Sequence, residues 1–201
     1  MVKIAVLVSG GGTNLQALLD AQRDGRLKSG KIALVVSSKA DAYALTRARD
    51  AGIETAVLPK AESPEAYGMQ LIELLRLYQI DMMVLAGFML ILHPNVVRAY
   101  AGRILNVHPS LIPSFCGAGY YGLKVHRAAL DYGVKVTGAT VHIVNEIPDG
   151  GKILAQKAVK IKKGDTPETL QKRVMEKAEW KLLPQETEKL AKKIAKKEKK
   201  H

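Results

Sequence analysis

Asn106-Val107-His108-Pro109-Ser110 places an amide and an imidazole two residues apart, just after the apolar pair Ile104-Leu105. Alternate side chains of an extended chain share a face, so Asn106 and His108 would look into one space. That pair suits acyl transfer: the amide donates to a developing oxyanion, and the histidine moves a proton or, when charged, donates as well. Asp149, in Pro148-Asp149-Gly150-Gly151, could aim a carboxylate at this histidine. A neighbouring carboxylate favours imidazolium and would lift the His108 pKa from its usual value of about 6.5. The same Asp-Gly pair is equally an ordinary hairpin-turn signal.

Ser9-Gly10-Gly11-Gly12-Thr13-Asn14 follows a first apolar run at residues 4–8 and precedes Leu15, Leu18 and Leu19 at helical spacing. Backbone N–H groups at the start of a helix bind anions, phosphate above all, although a tight turn needs glycine for backbone reasons alone. The Walker pattern fails for want of Gly-Lys-Ser/Thr. The dinucleotide pattern fails because Leu15 stands at the third glycine and Ser37-Ser38-Lys39 offers no ribose-binding acid. Phosphate without a dinucleotide is the better inference. Gly87-Phe88-Met89-Leu90-Ile91-Leu92 extends another apolar run without a charge, and reads either as core or as the wall of a pocket for a flat heterocycle. His142 reads as strand packing, Cys116 as a loop residue with no adjacent base, and His93, His126 and His201 have no partner pattern. Five His and one Cys at unpaired spacing argue against a metal site.

These residues sit among alternating strand and helix patterns. Apolar runs at 4–8, 32–36, 55–58, 82–86 and 104–107 read as strands, separated by helical segments near 42–51 and after Ser63-Pro64-Glu65. Runs apolar on both faces imply a mostly parallel sheet covered by helices, with ligands at the carboxyl ends of its strands. Beyond Tyr120 the pattern changes to a Gly- and Tyr-rich loop, a helix near 124–132, two longer β segments at 137–144 and 153–161, and one long helix opened by Thr166-Pro167-Glu168. The expected fold is a doubly wound α/β domain with helices on both faces.

The chain has 201 residues, enough for one domain with a full core, and its single cysteine rules out an internal disulfide scaffold and favours a reducing cytoplasm. Lys3 precedes only five apolar residues, too few for a signal-peptide core, and the uncharged run 82–92 is about half a membrane span. No membrane or nucleic-acid partner is expected. Of the net charge of +12, residues 186–201 hold seven Lys against three Glu, leaving +8 for the preceding 185. That segment reads as a solvated, fraying helix end; it lacks the aromatics that stack on bases.

Ser9 to Gln16, then Leu85-Ala86-Gly87-Phe88-Met89, then Asn106 to Pro113, then Thr140-Val141-His142 with Asp149-Gly150-Gly151 make the chain resemble the phosphoribosylglycinamide formyltransferase family over about residues 2–184. The resemblance implies a formyltransferase fold with a Rossmann-like N-terminal half, occupying residues 1–185, with 186–201 as a Lys-rich tail. It implies a catalytic trio of Asn106, His108 and Asp149, and a substrate phosphate held by Gly11, Gly12, Thr13 and Asn14, with Glu179 on the ribose. It further implies a folate pocket of Phe88, Met89, Leu90, Ile91, Leu92, Val97, Asn106, Glu146, Ile147 and Pro148. Leu90 replaces an Arg common in the family, and Trp180 its usual His. The implied activity is formyl transfer from 10-formyltetrahydrofolate, as co-substrate, to glycinamide ribonucleotide, by a monomer or homodimer without a metal. Formyltetrahydrofolate hydrolase resembles a chain with an added N-terminal domain, and methionyl-tRNA formyltransferase one with an added C-terminal domain. A basic nucleic-acid-binding module is the rival from another class.

Overall fold

In a computed structural model, which describes residues 1–198, the apolar runs become one seven-stranded sheet. Its strands are β1 (Val2–Val8), β2 (Gly30–Ser37), β3 (Glu54–Val57), β4 (Met82–Leu85), β5 (Ile104–His108), β6 (Val136–Ile143) and β7 (Ile153–Lys160), in the spatial order β3-β2-β1-β4-β5-β6-β7. The pairs β1–β2, β2–β3, β1–β4 and β4–β5 are parallel. The last two strands run antiparallel, β6 against β5 and β7 against β6. The doubly wound, mostly parallel expectation is met, with an antiparallel extension that carries the Asp149 loop between β6 and β7.

The helices are α1 (Thr13–Arg23), α2 (Tyr43–Asp50), α3 (Pro64–Leu77), α4 (Pro94–Ala99), α5 (Leu123–Tyr132), α6 (Pro167–Val174) and α7 (Trp180–Glu198). Alternation along β1 shows how both sheet faces are covered. Val2, Ile4, Val6 and Val8 belong to a core shared with Leu15 and Leu18 of α1, Leu170 and Val174 of α6, and Leu183 of α7. Ala5 and Leu7 point the other way, into a core with Tyr67, Leu71 and Leu75 of α3 and Val96 of α4. The signals at the helix starts are realised as capping bonds: Ser63 Oγ accepts from the Ala66 N–H at 3.0 Å, and Thr166 and Thr169 form a reciprocal capping box before Pro167.

Two expectations about the C-terminal region need correction. The long helix after Thr166 is interrupted by a π-helical segment, Met175–Glu179, between α6 and α7. The boundary expected at residue 185 falls inside α7, whose Glu186, Thr187, Leu190 and Ala191 are buried. Glu188 ties α7 to the entry of β2: Oε2 accepts from the N–H groups of Lys28 (2.8 Å) and Ser29 (2.9 Å), and Oε1 from Ser29 Oγ (2.7 Å). Residues 186–198 are therefore part of the packed domain, with Lys192, Lys193, Lys196 and Lys197 exposed on its outer face. Residues 199–201 of the expected tail lie outside the described residues.

Candidate active site

Strand order reverses between β1 and β4, the point at which open α/β sheets leave a crevice at their carboxyl ends. A cleft of about 570 Å³ opens there, bounded by the glycine turn after β1, the apolar segment after β4, the end of β5, the loop 117–122 and the Asp149 loop.

The glycine turn enters α1 through Gly12, whose φ of +71° is left-handed. A Cβ at Gly12 would lie 2.6 Å from the Cβ of Ala44, so only glycine lets the turn rest on α2. Thr13 Oγ1 donates to Met175 Sδ at 3.5 Å, and Asn14 Nδ2 donates to Glu179 Oε2 at 2.6 Å. Both acceptors sit on the π-helical segment, which delivers Glu179 to the cleft wall. Burial pushes the Glu179 carboxyl up to about 7, against the pull of the Asn14 bond. Ser9 Oγ accepts from the Met89 N–H (3.0 Å) and shares a hydrogen bond with Ser38 Oγ (2.7 Å), linking the glycine turn to the apolar wall.

That wall is Phe88, Met89, Leu90, Ile91 and Leu92, faced by Glu146, Ile147 and Pro148 from the opposite loop. Ile91 is 69% and Ile147 65% exposed, an apolar mouth with room for a flat ring. Arg98 Nε donates to Glu146 Oε1 at 2.8 Å, pinning this loop to α4 at the rim. Val97 stands one layer behind this wall. It is buried on α4, in the apolar cluster that also holds Leu92 of the wall.

Asp149 is the hub of the polar end. Its φ of +55° is left-handed for a residue with a side chain, and Gly151 follows where a Cβ would lie 1.7 Å from the Ile143 carbonyl oxygen. This strained turn aims the carboxylate back at β5, which an ordinary hairpin would not require. Oδ2 lies 3.3 Å from His108 Nδ1 and accepts from the Gly117 N–H at 2.9 Å. Oδ1 accepts from Asn106 Nδ2 at 3.3 Å and lies 3.5 Å from His142 Nε2. The expected trio is thus assembled around one carboxylate.

The electrostatics differ from the expectation. Burial pushes the His108 pKa below its ordinary value and outweighs the opposing effects of Asp149 and the Phe115 carbonyl. For Asp149, burial favours the neutral acid. His142 and His108, each of which draws on the carboxylate when protonated, and the Gly117 N–H together overcome burial and hold the carboxyl below the usual range. The resting pair is therefore an anionic Asp149 beside a neutral His108. The Phe115 carbonyl, 2.9 Å from Nε2, can only accept, so Nε2 carries the proton of the neutral ring; Nδ1 also faces an acceptor, Asp149 Oδ2 at 3.3 Å, and gains a hydrogen bond and an ion pair only once it is protonated. A proton arriving at Nδ1 would meet a waiting carboxylate, the arrangement of a general base.

His142 is the residue that sequence reasoning passed over. Antiparallel register sets it directly opposite Asn106, so a position expected to be strand packing belongs to the polar cluster. Its Nδ1 lies 3.0 Å from the Ile143 carbonyl and so donates to it, leaving Nε2 to accept from Asn106 Nδ2 at 3.2 Å. Both N–H bonds of the Asn106 amide are then engaged, one with Asp149 and one with His142, and neither is free for an oxyanion in this state. His126, on α5, is a second unexpected lining residue, fully buried with neither ring nitrogen partnered among the described residues. Burial pushes its pKa down to about 4, and His108, when protonated, acts in the same direction. Cys116 behaves as a loop residue: burial raises its thiol pKa, the Asp149 charge raises it further, and Sγ donates to the Pro113 carbonyl.

The model of the formyl transferase family matches residues 2–187. The chain is 45% identical over 175 residues to the phosphoribosylglycinamide formyltransferase of Escherichia coli, covering 86% of this chain and 80% of that protein. It is 43% identical to the chloroplastic phosphoribosylglycinamide formyltransferase of Arabidopsis thaliana over 86% of its own length, and spans 60% of that relative. The crystal structure of glycinamide ribonucleotide transformylase 1 from Symbiobacterium toebii superposes with a TM-score of 0.90 at 42% identity, covering 96% of this chain and 89% of that one.

Proposed function

Because the chain belongs to the formyl transferase family, we propose that it moves the formyl group of 10-formyltetrahydrofolate to the amine of glycinamide ribonucleotide, a step of purine synthesis. The observation that carries this reading is one cleft holding three parts: a glycine turn for a phosphate, an apolar wall for a flat ring, and Asp149 with His108 and Asn106 between them. In this reading Gly11, Gly12, Thr13 and Asn14 hold the substrate phosphate and Glu179 its ribose. Phe88 to Leu92, with Glu146, Ile147 and Pro148, hold the pterin-bearing co-substrate, which supplies an electrophilic formyl carbon. Expulsion of water from this apolar wall strengthens every charge interaction at the polar end.

The substrate amine attacks the formyl carbon, and the carbonyl oxygen gains negative charge. His108 takes the proton lost by the amine at Nδ1, where Asp149 stabilises the resulting cation. Asn106 keeps its bond to Asp149 and turns its second N–H from His142 to the oxyanion, a donor of the kind worth about 10²–10³ in rate. The proton then passes to the departing folate nitrogen, the carbonyl re-forms, and His108 returns to neutral. No covalent bond to the protein forms, so kinetics are sequential.

Among the described residues no helix is long and apolar enough to cross a membrane and no group of His, Cys, Asp or Glu is placed to hold a metal ion. The three parts of the cleft all lie within this chain, and a monomer or a homodimer is the proposed state. The lone Cys116 suits a reducing cytoplasm. The test mixes the protein with 10-formyltetrahydrofolate with and without glycinamide ribonucleotide and follows deformylation. Turnover that requires the nucleotide is expected; equal turnover without it would show a hydrolase.

A further inference from the structure

The glycine turn is held from behind by α2, which lies outside the cleft. The Ala44 N–H donates to the Gly10 carbonyl at 3.1 Å. Arg47 Nε donates to the Gly11 carbonyl at 2.9 Å, and Arg47 Nη1 to Gln16 Oε1 of α1, also at 2.9 Å. The guanidinium carbon sits 5.0 Å from the centre of the Tyr43 ring, so the half-buried Arg47 is restrained on three sides.

A trans peptide points its C=O and the following N–H in opposite directions. The Gly10 carbonyl and the Gly11 N–H share one peptide plane, and the Gly11 carbonyl and the Gly12 N–H share the next. Drawing both carbonyls toward α2 therefore turns both N–H groups toward the cleft that these glycines line. Among the described residues nothing accepts a hydrogen bond from either N–H. A fixed cation behind the turn further favours a dianion in front of it. We propose that Arg47 is a positioning residue for phosphate recognition, orienting the Gly12 N–H through the Gly11 carbonyl and so setting the preference for a phosphorylated substrate. This rests on the reading of the glycine turn as the phosphate site. Arg47 itself touches no substrate.

The test compares glycinamide ribonucleotide with its unphosphorylated riboside as acceptors for the wild type, Arg47→Ala and Arg47→Lys, with thermal unfolding as a check on folding. The wild type should prefer the nucleotide strongly. Arg47→Ala should lower kcat/KM for the nucleotide about 10- to 100-fold, mostly through KM, the range expected for losing hydrogen bonds from a charged donor. Its kcat/KM for the riboside and its KM for 10-formyltetrahydrofolate should not change. Arg47→Lys, which keeps the charge but not the two-pronged geometry, should fall between. Equal losses on both acceptors from folded Arg47→Ala and Arg47→Lys would reduce Arg47 to a structural support and overturn the proposal, as would no loss on the nucleotide. A wild type indifferent to the phosphate would instead overturn the reading of the turn itself.

Discussion

Glu179 and His126 are buried titratable groups whose contributions to stability run in opposite directions with pH, and each can be unmasked by removing the other. The folded Glu179 titrates at about 7 against an ordinary 4.5, so between these values the folded state binds one more proton than the unfolded. Its contribution is fully present below pH 4.5 and is lost as pH rises through 7. The folded His126 titrates at about 4 against an ordinary 6.5, so there the folded state binds one proton fewer. Its contribution is present above pH 6.5 and is lost as pH falls through 4. Between pH 4.5 and 6.5 the two slopes cancel, each being about 1.4 kcal/mol per pH unit. Glu179→Gln keeps an acceptor for Asn14 but cannot ionise. Its stability relative to the wild type should rise with pH, by about 3 kcal/mol across the window. His126→Leu should show the mirror image, falling relative to the wild type by a similar amount. Urea unfolding of the ligand-free protein at half-unit steps of pH measures both differences. A Glu179→Gln curve parallel to the wild type would show that Glu179 is already ionised in the fold, and would refute the burial argument for it.

Asp149→Asn removes the charge that receives the His108 proton, and kcat should drop about 10²–10⁴ with substrate dissociation constants nearly unchanged; a fully active enzyme would remove Asp149 from the proton path. Gly151→Ala must push the Asp149 loop away from the Ile143 carbonyl, and a misplacement on the order of 1 Å should cost about 10² in kcat while the far-ultraviolet spectrum stays native. Leu190→Ala, within the Lys-rich segment, should destabilise the protein by about 2–5 kcal/mol in urea unfolding. Lys193→Ala beside it should change stability by no more than about 0.5 kcal/mol, and equal small effects would restore the segment to a solvated tail.

The strands were legible because a strand buried on both faces must be apolar throughout, and residues 4–8 and 82–86 say so without help from elsewhere. Asn106 and His108 were legible for a related reason: period-two alternation at a strand end puts them on one face. His142 was hidden because its meaning comes from antiparallel pairing with Asn106, thirty-six residues away, and the hand of that pairing is not written in local composition. The protonation state of His108 is not legible, because its carboxylate partner is visible in the sequence and its burial is not. In the Lys-rich segment, frequent Lys and Glu masked Thr187, Leu190 and Ala191, whose three- and four-residue spacing marks a buried helical stripe. The role of Arg47 depends on a contact with Gly11 across thirty-six residues, beyond any local motif.

The π-helical segment has a consequence for how this chain tolerates change in its gene. In a regular α-helix, inserting or deleting one residue rotates everything downstream by about 100°, which within α7 would swing lysines into the core where Leu190 and Ala191 now pack. A π turn is an α-helix carrying one surplus residue that its neighbours have absorbed. Single-codon deletions across residues 167–198 are therefore not equivalent: one inside Met175–Glu179 relaxes the helix to regular geometry and leaves both flanks in register, while one a few codons downstream breaks the fold. The surplus residue is also what gives Met175 and Glu179 freedom to serve the cleft while the flanking helices serve the sheet, so natural variation in helix length at this point would retune the substrate pocket and spare the core.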